Sequence, residues 1–262
     1  MCGRIYFQDI DALRDLCLGI VLGGLLYVPL CLFELRMSPK LHYTFYGFFP
    51  HSFIQHVRYG GYRPIVFMQH GLMVSLWMAC TSVISFWLWR GKIFTHIHGI
   101  PMFIVFSSLA VVTFLTKSAN GMAVLVIGCG LYFLNQKFIK NIPILVLMLL
   151  IPFYISMRVT NGVTGDEIAG VIERLLHHER IESLVVRFNQ EDLYSLRGLE
   201  RPLFGWGGYG RTRPVDPHTG EVIMRAIDSL WLLSFCQKGF VGLISLFSMM
   251  LVGPYLTLRN RL

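Results

Sequence analysis

Long apolar runs, rather than alternating hydrophobic and polar positions, set the pattern of this chain. Six runs approach the roughly 20 residues that cross a bilayer: 17–35, 65–89, 97–116, 122–134, 142–157 and 230–256. The fourth is short and follows the third after the turn Lys117-Ser118-Ala119-Asn120-Gly121. The sixth is long enough to tilt or to break, near Gly239 or Gly242. Pro29, Pro101, Pro143 and Pro152 fall in or near these runs, where kinks are tolerated. The pattern predicts an all-α polytopic membrane helix bundle with about six transmembrane helices.

A polar stretch, 158–228, separates the fifth run from the sixth. From Asp166 to Phe188 apolar residues recur at helical spacing (Ile168, Val171, Ile172, Leu175, Leu176, Leu184, Val185), with charges between them. That spacing predicts an amphipathic helix on the membrane or capping the bundle. Asn189, followed by Gln190-Glu191-Asp192, predicts a new helix start, with a cap and acids in the first turn. Arg201-Pro202 should stop that helix near Glu200. The expected organisation is a bundle over 1–157 with an external connection 36–64, one large extracytoplasmic loop over 158–228, and a last span with a short tail over 229–262.

Composition sharpens this. The 262 residues are 54% hydrophobic and 15% charged, against about a quarter charged in a soluble domain. Four of the 15 acidic residues (Asp9, Asp11, Asp15, Glu34) lie near the start; the rest fall between Asp166 and Asp228, leaving no carboxylate between Leu35 and Gly165. The net charge of +8 comes from bases flanking apolar runs (Arg36, Lys40, Arg90, Lys92, Lys137, Lys140, Arg259, Arg261). Bases there suit lipid head groups and topology rather than nucleic acid. Over the short loops they place both termini in the cytoplasm and 36–64 and 158–228 outside. Cys17, Cys31, Cys80, Cys129 and Cys236 lie inside apolar runs and Cys2 at the terminus, which argues for small apolar filler over a disulfide framework or zinc site. The mixed-charge start (Arg4, Asp9, Asp11, Arg14, Asp15) is not that of an ordinary secretory signal.

The sharpest local feature is Arg201-Pro202-Leu203-Phe204-Gly205-Trp206-Gly207-Gly208-Tyr209-Gly210-Arg211. It contains G-x-G-x-x-G, but no βαβ unit surrounds it, so a dinucleotide fold is not expected. Two readings stand. It is a tight turn at the membrane surface anchored by Trp206 and Tyr209, or a backbone cradle for phosphate with charge from Arg201, Arg211 and Arg213. Arg180, Arg187 and Arg197 are either solvated and paired with Glu179, Glu182, Glu191 and Glu200, or jointly suited to a lipid-linked diphosphate. Lys117, between two apolar runs, either snorkels or reaches a ligand. His70, a few residues into the second run, and His96 and His98, near the start of the third, read as packing histidines or as relays. No His/carboxylate spacing forms a metal site, and no cofactor is expected. Asp228, with Ser229 before the last run, is an N-cap or a general base toward a sugar hydroxyl.

Together, Arg187-Phe-Asn-Gln-Glu191, the segment Arg201 to Gly210 (with Gly205, Gly207, Gly208 and Tyr209), Asp228-Ser-Leu-Trp and Lys238-Gly-Phe-Val-Gly-Leu243 resemble the C-terminal signature of the O-antigen ligase and polymerase superfamily. The Lys117 turn resembles that family's basic-Ser-Gly segment, which normally carries Arg where Lys117 stands. The resemblance covers roughly 60–257. It implies a metal-independent glycosyltransferase taking glycan from an undecaprenyl-diphosphate carrier at the periplasmic face of a bacterial inner membrane, and passing it to a glycan or lipid acceptor. On that basis Arg187 and Asp228 are the expected catalytic residues. Lys117, Arg180, Arg197, Arg201, Gly205, Gly207, Gly208, Tyr209, Arg211 and Arg213 would hold the donor. Lipopolysaccharide ligases carry His-Asn where Asp228-Ser229 stands, which shifts the expectation toward polymerase or exopolysaccharide members. Family members usually have ten or more spans, so the chain reads as the C-terminal part of something longer. The rival expectations are a transporter or flippase of a lipid-linked or anionic solute, which should show internal repeats and matched broken helices, and an inactive fragment.

Overall fold

A computed structural model of the chain describes residues 9–58, 60–137, 142–159, 178–215, 220–223 and 229–259. Asp228, positions 166–177 of the expected amphipathic helix, Lys140 and Arg261 lie outside the described residues. The chain is mostly helical and forms two compact units, Met1–Ile139 and Lys140–Leu262. Among the described residues, five helices are long and apolar enough to cross a membrane, which suits a membrane protein.

In the first unit, α1 (Ile10–Met37) leads into the short α2 (Leu41–Tyr46) and a two-stranded ribbon, β1 (Val57–Arg58) with β2 (Gly61–Tyr62). Next come α3 (Gly71–Arg90), a second ribbon, β3 (His96–Ile97) with β4 (Ile100–Pro101), then α4 (Met102–Leu115) and α5 (Ala119–Lys137). The apolar run 97–116 therefore holds a hairpin and a 14-residue helix. At 1.5 Å per residue that helix is about 21 Å long, short of the roughly 30 Å hydrocarbon core, whereas each of the other five runs overlaps a helix of spanning length.

α3 is the hub, packing against α1, α4 and α5. Membrane helices gain little from apolar burial against each other, so close approach and hydrogen bonds between them matter more. The sequence supplies both. Gly24 of α1 lies against Thr81, and Gly121 and Gly128 of α5 lie against Ser75 and Val83, each too close for an added Cβ. Thr116 Oγ1 donates to Ser75 Oγ at 2.9 Å, Ser82 and Thr113 hydroxyls meet at 3.2 Å, and Trp87 Nε1 donates to the Gly128 carbonyl at 2.9 Å. Pro29 sits inside α1.

One carboxylate organises the connection after α1. Glu34, fully buried, accepts from the backbone N–H groups of Leu41 at 2.9 Å, Ile65 at 2.8 Å and Val66 at 2.7 Å. These three amides belong to irregular or helix-starting backbone with no ladder partner, and an unpaired buried amide costs about 1–3 kcal/mol. Glu34 thus holds both ends of the connection against the end of α1.

Among the described residues, the second unit holds α6 (Ile142–Val159), α7 (His178–Leu199), a 3-10 turn (Tyr209–Thr212) and α8 (Leu230–Arg259). Its apolar core gathers Ile155 and Val159 of α6, Tyr194 of α7, and Trp231, Leu232, Phe235, Cys236 and Leu243 of α8. α7 and α8 approach closely where Gly198 faces the Phe235 ring. The expected helix start at Asn189 is not there: α7 runs through it without interruption. The acids that resemble a first turn are used elsewhere, because Glu191 and Asp192 pair with Arg158 of α6. The stop before Arg201-Pro202 is where the sequence puts it.

Candidate functional site

The glycine-rich segment is built into a broken helix. Gly239 inside α8 has φ 63 and ψ −161, a conformation open to glycine alone among common residues, and the helix is interrupted there. An uninterrupted helix would have Phe240 and Val241 N–H donate to the Cys236 and Gln237 carbonyls. Instead Trp206 and Gly207 donate to those carbonyls at 2.8 and 2.9 Å, while Phe240 and Val241 donate to the Pro202 and Leu203 carbonyls at 2.7 and 3.3 Å. Two helical bonds become four bonds between the turn and the helix. The break lies nine residues past Leu230, about 14 Å along the axis at 1.5 Å per residue. Within a bilayer, such irregular backbone persists only where its polar groups are internally satisfied.

Gly205 and Gly207 take positive φ values of 68 and 80. A Cβ on Gly205 would run into the Gln237 backbone, whereas nothing lies near Gly207, Gly208 or Gly210. Arginines collect on this turn. The Arg197 guanidinium lies 3.6 Å and that of Arg201 4.3 Å from the Trp206 ring centroid, and Arg213 lies 5.6 Å from the Tyr209 ring. Trp206 Nε1 donates to the Arg197 carbonyl at 2.8 Å, which fixes the ring under the guanidinium groups. Arg197 pairs with Glu200, one of the acids expected for it, and its Nε is buried with no hydrogen-bond partner among the described residues. Arg211, in the 3-10 turn, is exposed. Stacking on an aromatic face leaves the edge of a guanidinium free to present two N–H groups to a phosphate.

The structure therefore brings together Arg197, Arg201 and Gly205 through Arg213. Arg187 is exposed on α7, and Arg180 lies on the same helix two turns earlier. Lys117 belongs to the first unit, at φ 53 between α4 and α5, with its Nζ against Gly61.

A second cluster escaped the sequence reading. Arg158, 2% exposed at the end of α6, donates from Nε to Glu191 at 3.0 Å, from Nη2 to the Phe188 carbonyl at 3.0 Å, and pairs with Asp192 at 2.9 Å. Glu191, 8% exposed, also accepts from Tyr154 Oη at 2.6 Å and Ser229 Oγ at 3.0 Å. This network ties α6, α7 and Ser229 at the start of α8. The available signal was Arg158 itself, the one charge in its helix.

In the first unit the histidines singled out by the sequence lie outside the spanning helices. His70 is the N-cap of α3 rather than a residue inside it, its Nδ1 accepting from Leu72 N–H at 3.0 Å. His96 and His98 lie in the β3–β4 hairpin. His56 is buried, and burial, with His51 and Arg63 nearby, holds its imidazole below the usual histidine range. A histidine whose folded pKa is depressed contributes fully above its unfolded value of about 6.5, and that contribution is lost as pH falls below it. Thermal melts of the chain in detergent should therefore drop between about pH 7.5 and 5, and His56→Asn should flatten that drop. An unchanged slope would contradict a neutral buried His56. No protein-family model matches the chain, and no curated protein or solved structure matches it either.

Proposed function

We propose that this protein transfers or polymerises glycan carried on undecaprenyl diphosphate, acting as an O-antigen ligase- or polymerase-like enzyme at the extracytoplasmic face of a bacterial inner membrane. The observation that carries this reading is the arginine-bearing glycine turn seated in the broken α8. A lipid-linked diphosphate keeps its tail in the bilayer and its charge at the surface. A turn inserted about two helical turns into a span, presenting stacked guanidinium groups, suits that geometry. Arg197, Arg201, Arg211 and Arg213 would hold the diphosphate, and matching its developing charge would make it a better leaving group. Exposed Arg187 would join them, as would Arg180 on the family resemblance. Asp228 would orient or deprotonate the acceptor hydroxyl. In this reading 158–228 is the large extracytoplasmic loop, the short apolar α4 completes the six spans, and both termini are cytoplasmic.

The test is the surface glycan of cells lacking the gene, complemented with wild type or with Arg201→Ala. Wild type should restore long-chain polysaccharide, and Arg201→Ala should lower it by about 10²–10³-fold, the usual scale for one lost transition-state donor, at equal amounts of membrane protein. Full restoration by Arg201→Ala would remove the donor site. A transporter of a lipid-linked or anionic solute is the second reading, and the interrupted α8 favours it. Such carriers break helices in matched pairs, and among the described residues α8 alone contains a non-helical residue.

A further inference from the structure

We infer that residues 41–57 of the first unit form an aromatic flap that lies in the phospholipid head-group layer. α1 ends at Met37 and α3 opens at Gly71, so the connection between two spanning helices must sit at one end of them. Glu34 pins it there, through the amides of Leu41, Ile65 and Val66. Leu41 packs into the core, while the rings of Phe45 and Tyr46 meet Phe67 edge-on, holding the flap flat against the bundle end. Its own backbone is fastened too, the buried His42 ring meeting the Phe48 carbonyl at 3.0 Å.

What this ordered segment turns outward is apolar. Tyr43, Phe45, Tyr46, Phe48, Phe53, Ile54 and Val57 are exposed, Phe45 by 69% and Ile54 by 80%. A soluble surface seldom carries a contiguous apolar patch of this kind. No carboxylate occurs between Leu35 and Gly165, and exposed Arg36 and Lys40 stand at the flap's start. Aromatic rings beside bases, with no acids, match the interfacial belt and anionic head groups. A glycan platform fits less well. Tyr43 and Phe49 stack on each other at 5.0 Å, covering faces a sugar would need, and the most exposed large hydrophobic of the flap is aliphatic Ile54.

The proposal is tested on the full chain in native membranes, with the photo-reactive analogue p-benzoylphenylalanine placed singly at Phe45, Phe48 and Ile54, and at exposed Glu221 as control. Ultraviolet irradiation followed by mass spectrometry should give phospholipid adducts at all three flap positions, roughly tenfold above the control, as for probes held among lipid rather than water. In liposomes, adding phosphatidylglycerol to phosphatidylcholine should raise the yield. Adducts at the control level, or adducts to glycan or protein in place of lipid, would overturn it. This outcome is independent of the transferase reading, since it scores lipid contact and not activity.

Discussion

Replacing Arg158 by Ala should destabilise the second unit by about 3–5 kcal/mol, the usual loss when one partner of a buried ion pair is removed. Arg158 is 2% exposed and meets Glu191, Asp192 and the Phe188 carbonyl at once. Its removal leaves two adjacent carboxylates without their cation, one of them in a largely dry site. Among the described residues Glu191 would keep only the Tyr154 and Ser229 hydroxyls. Glu191→Gln should be milder, about 1–2 kcal/mol, because an amide oxygen still accepts from those groups. The two changes share one network, so the double variant should lose less than the sum, by at least about 0.5 kcal/mol. Unfolding of the chain in mixed micelles, followed by circular dichroism, reads all three. A loss below about 1 kcal/mol for Arg158→Ala would mean that water or lipid head groups reach the guanidinium.

That network also shows where sequence patterning stops. Spans are legible because a bilayer demands long apolar runs, and 17–35, 65–89, 122–134, 142–157 and 230–256 each contain or overlap a spanning helix. The run 97–116 reads as one continuous span because hydropathy ignores that His98 and Gly99 turn the chain into a hairpin before the shorter α4 begins. Asn189-Gln190-Glu191-Asp192 looked like a helix start because capping is a local signal, whereas Glu191 answers to Arg158, distant in sequence. Pairings across 33 residues leave no spacing rule to read. The glycine turn and the break near Gly239 were each visible, since glycine announces unusual backbone. Their union was not, because nothing in either segment names the other as its hydrogen-bond partner.

Gly239→Ala should separate that union. At φ 63 and ψ −161 a Cβ is strained by about 1–3 kcal/mol on its own. It would also run into the Leu203 carbonyl group and the Pro202 carbonyl oxygen. These are backbone atoms, so no rotamer change gives relief, and the turn must leave its seat. Four hydrogen bonds then open, including those from Trp206 and Gly207, and α8 can close into a continuous helix that recovers only two. A total of about 4 kcal/mol or more against the seated turn follows from strain plus the unmade bonds. Gly130→Ala, in α5, is the control. Nothing lies near an added Cβ there, and alanine in a helix is favourable, so little change is expected. Hydrogen exchange of the Trp206 and Gly207 amides gives the reading. Both should be protected in the native chain and in Gly130→Ala, and should exchange freely in Gly239→Ala. If the reading under "Proposed function" holds, glycan transfer falls with that protection, because the guanidinium groups of Arg197 and Arg201 lose the ring that positions them. Protection that survives Gly239→Ala would mean the turn is held by something other than the broken helix.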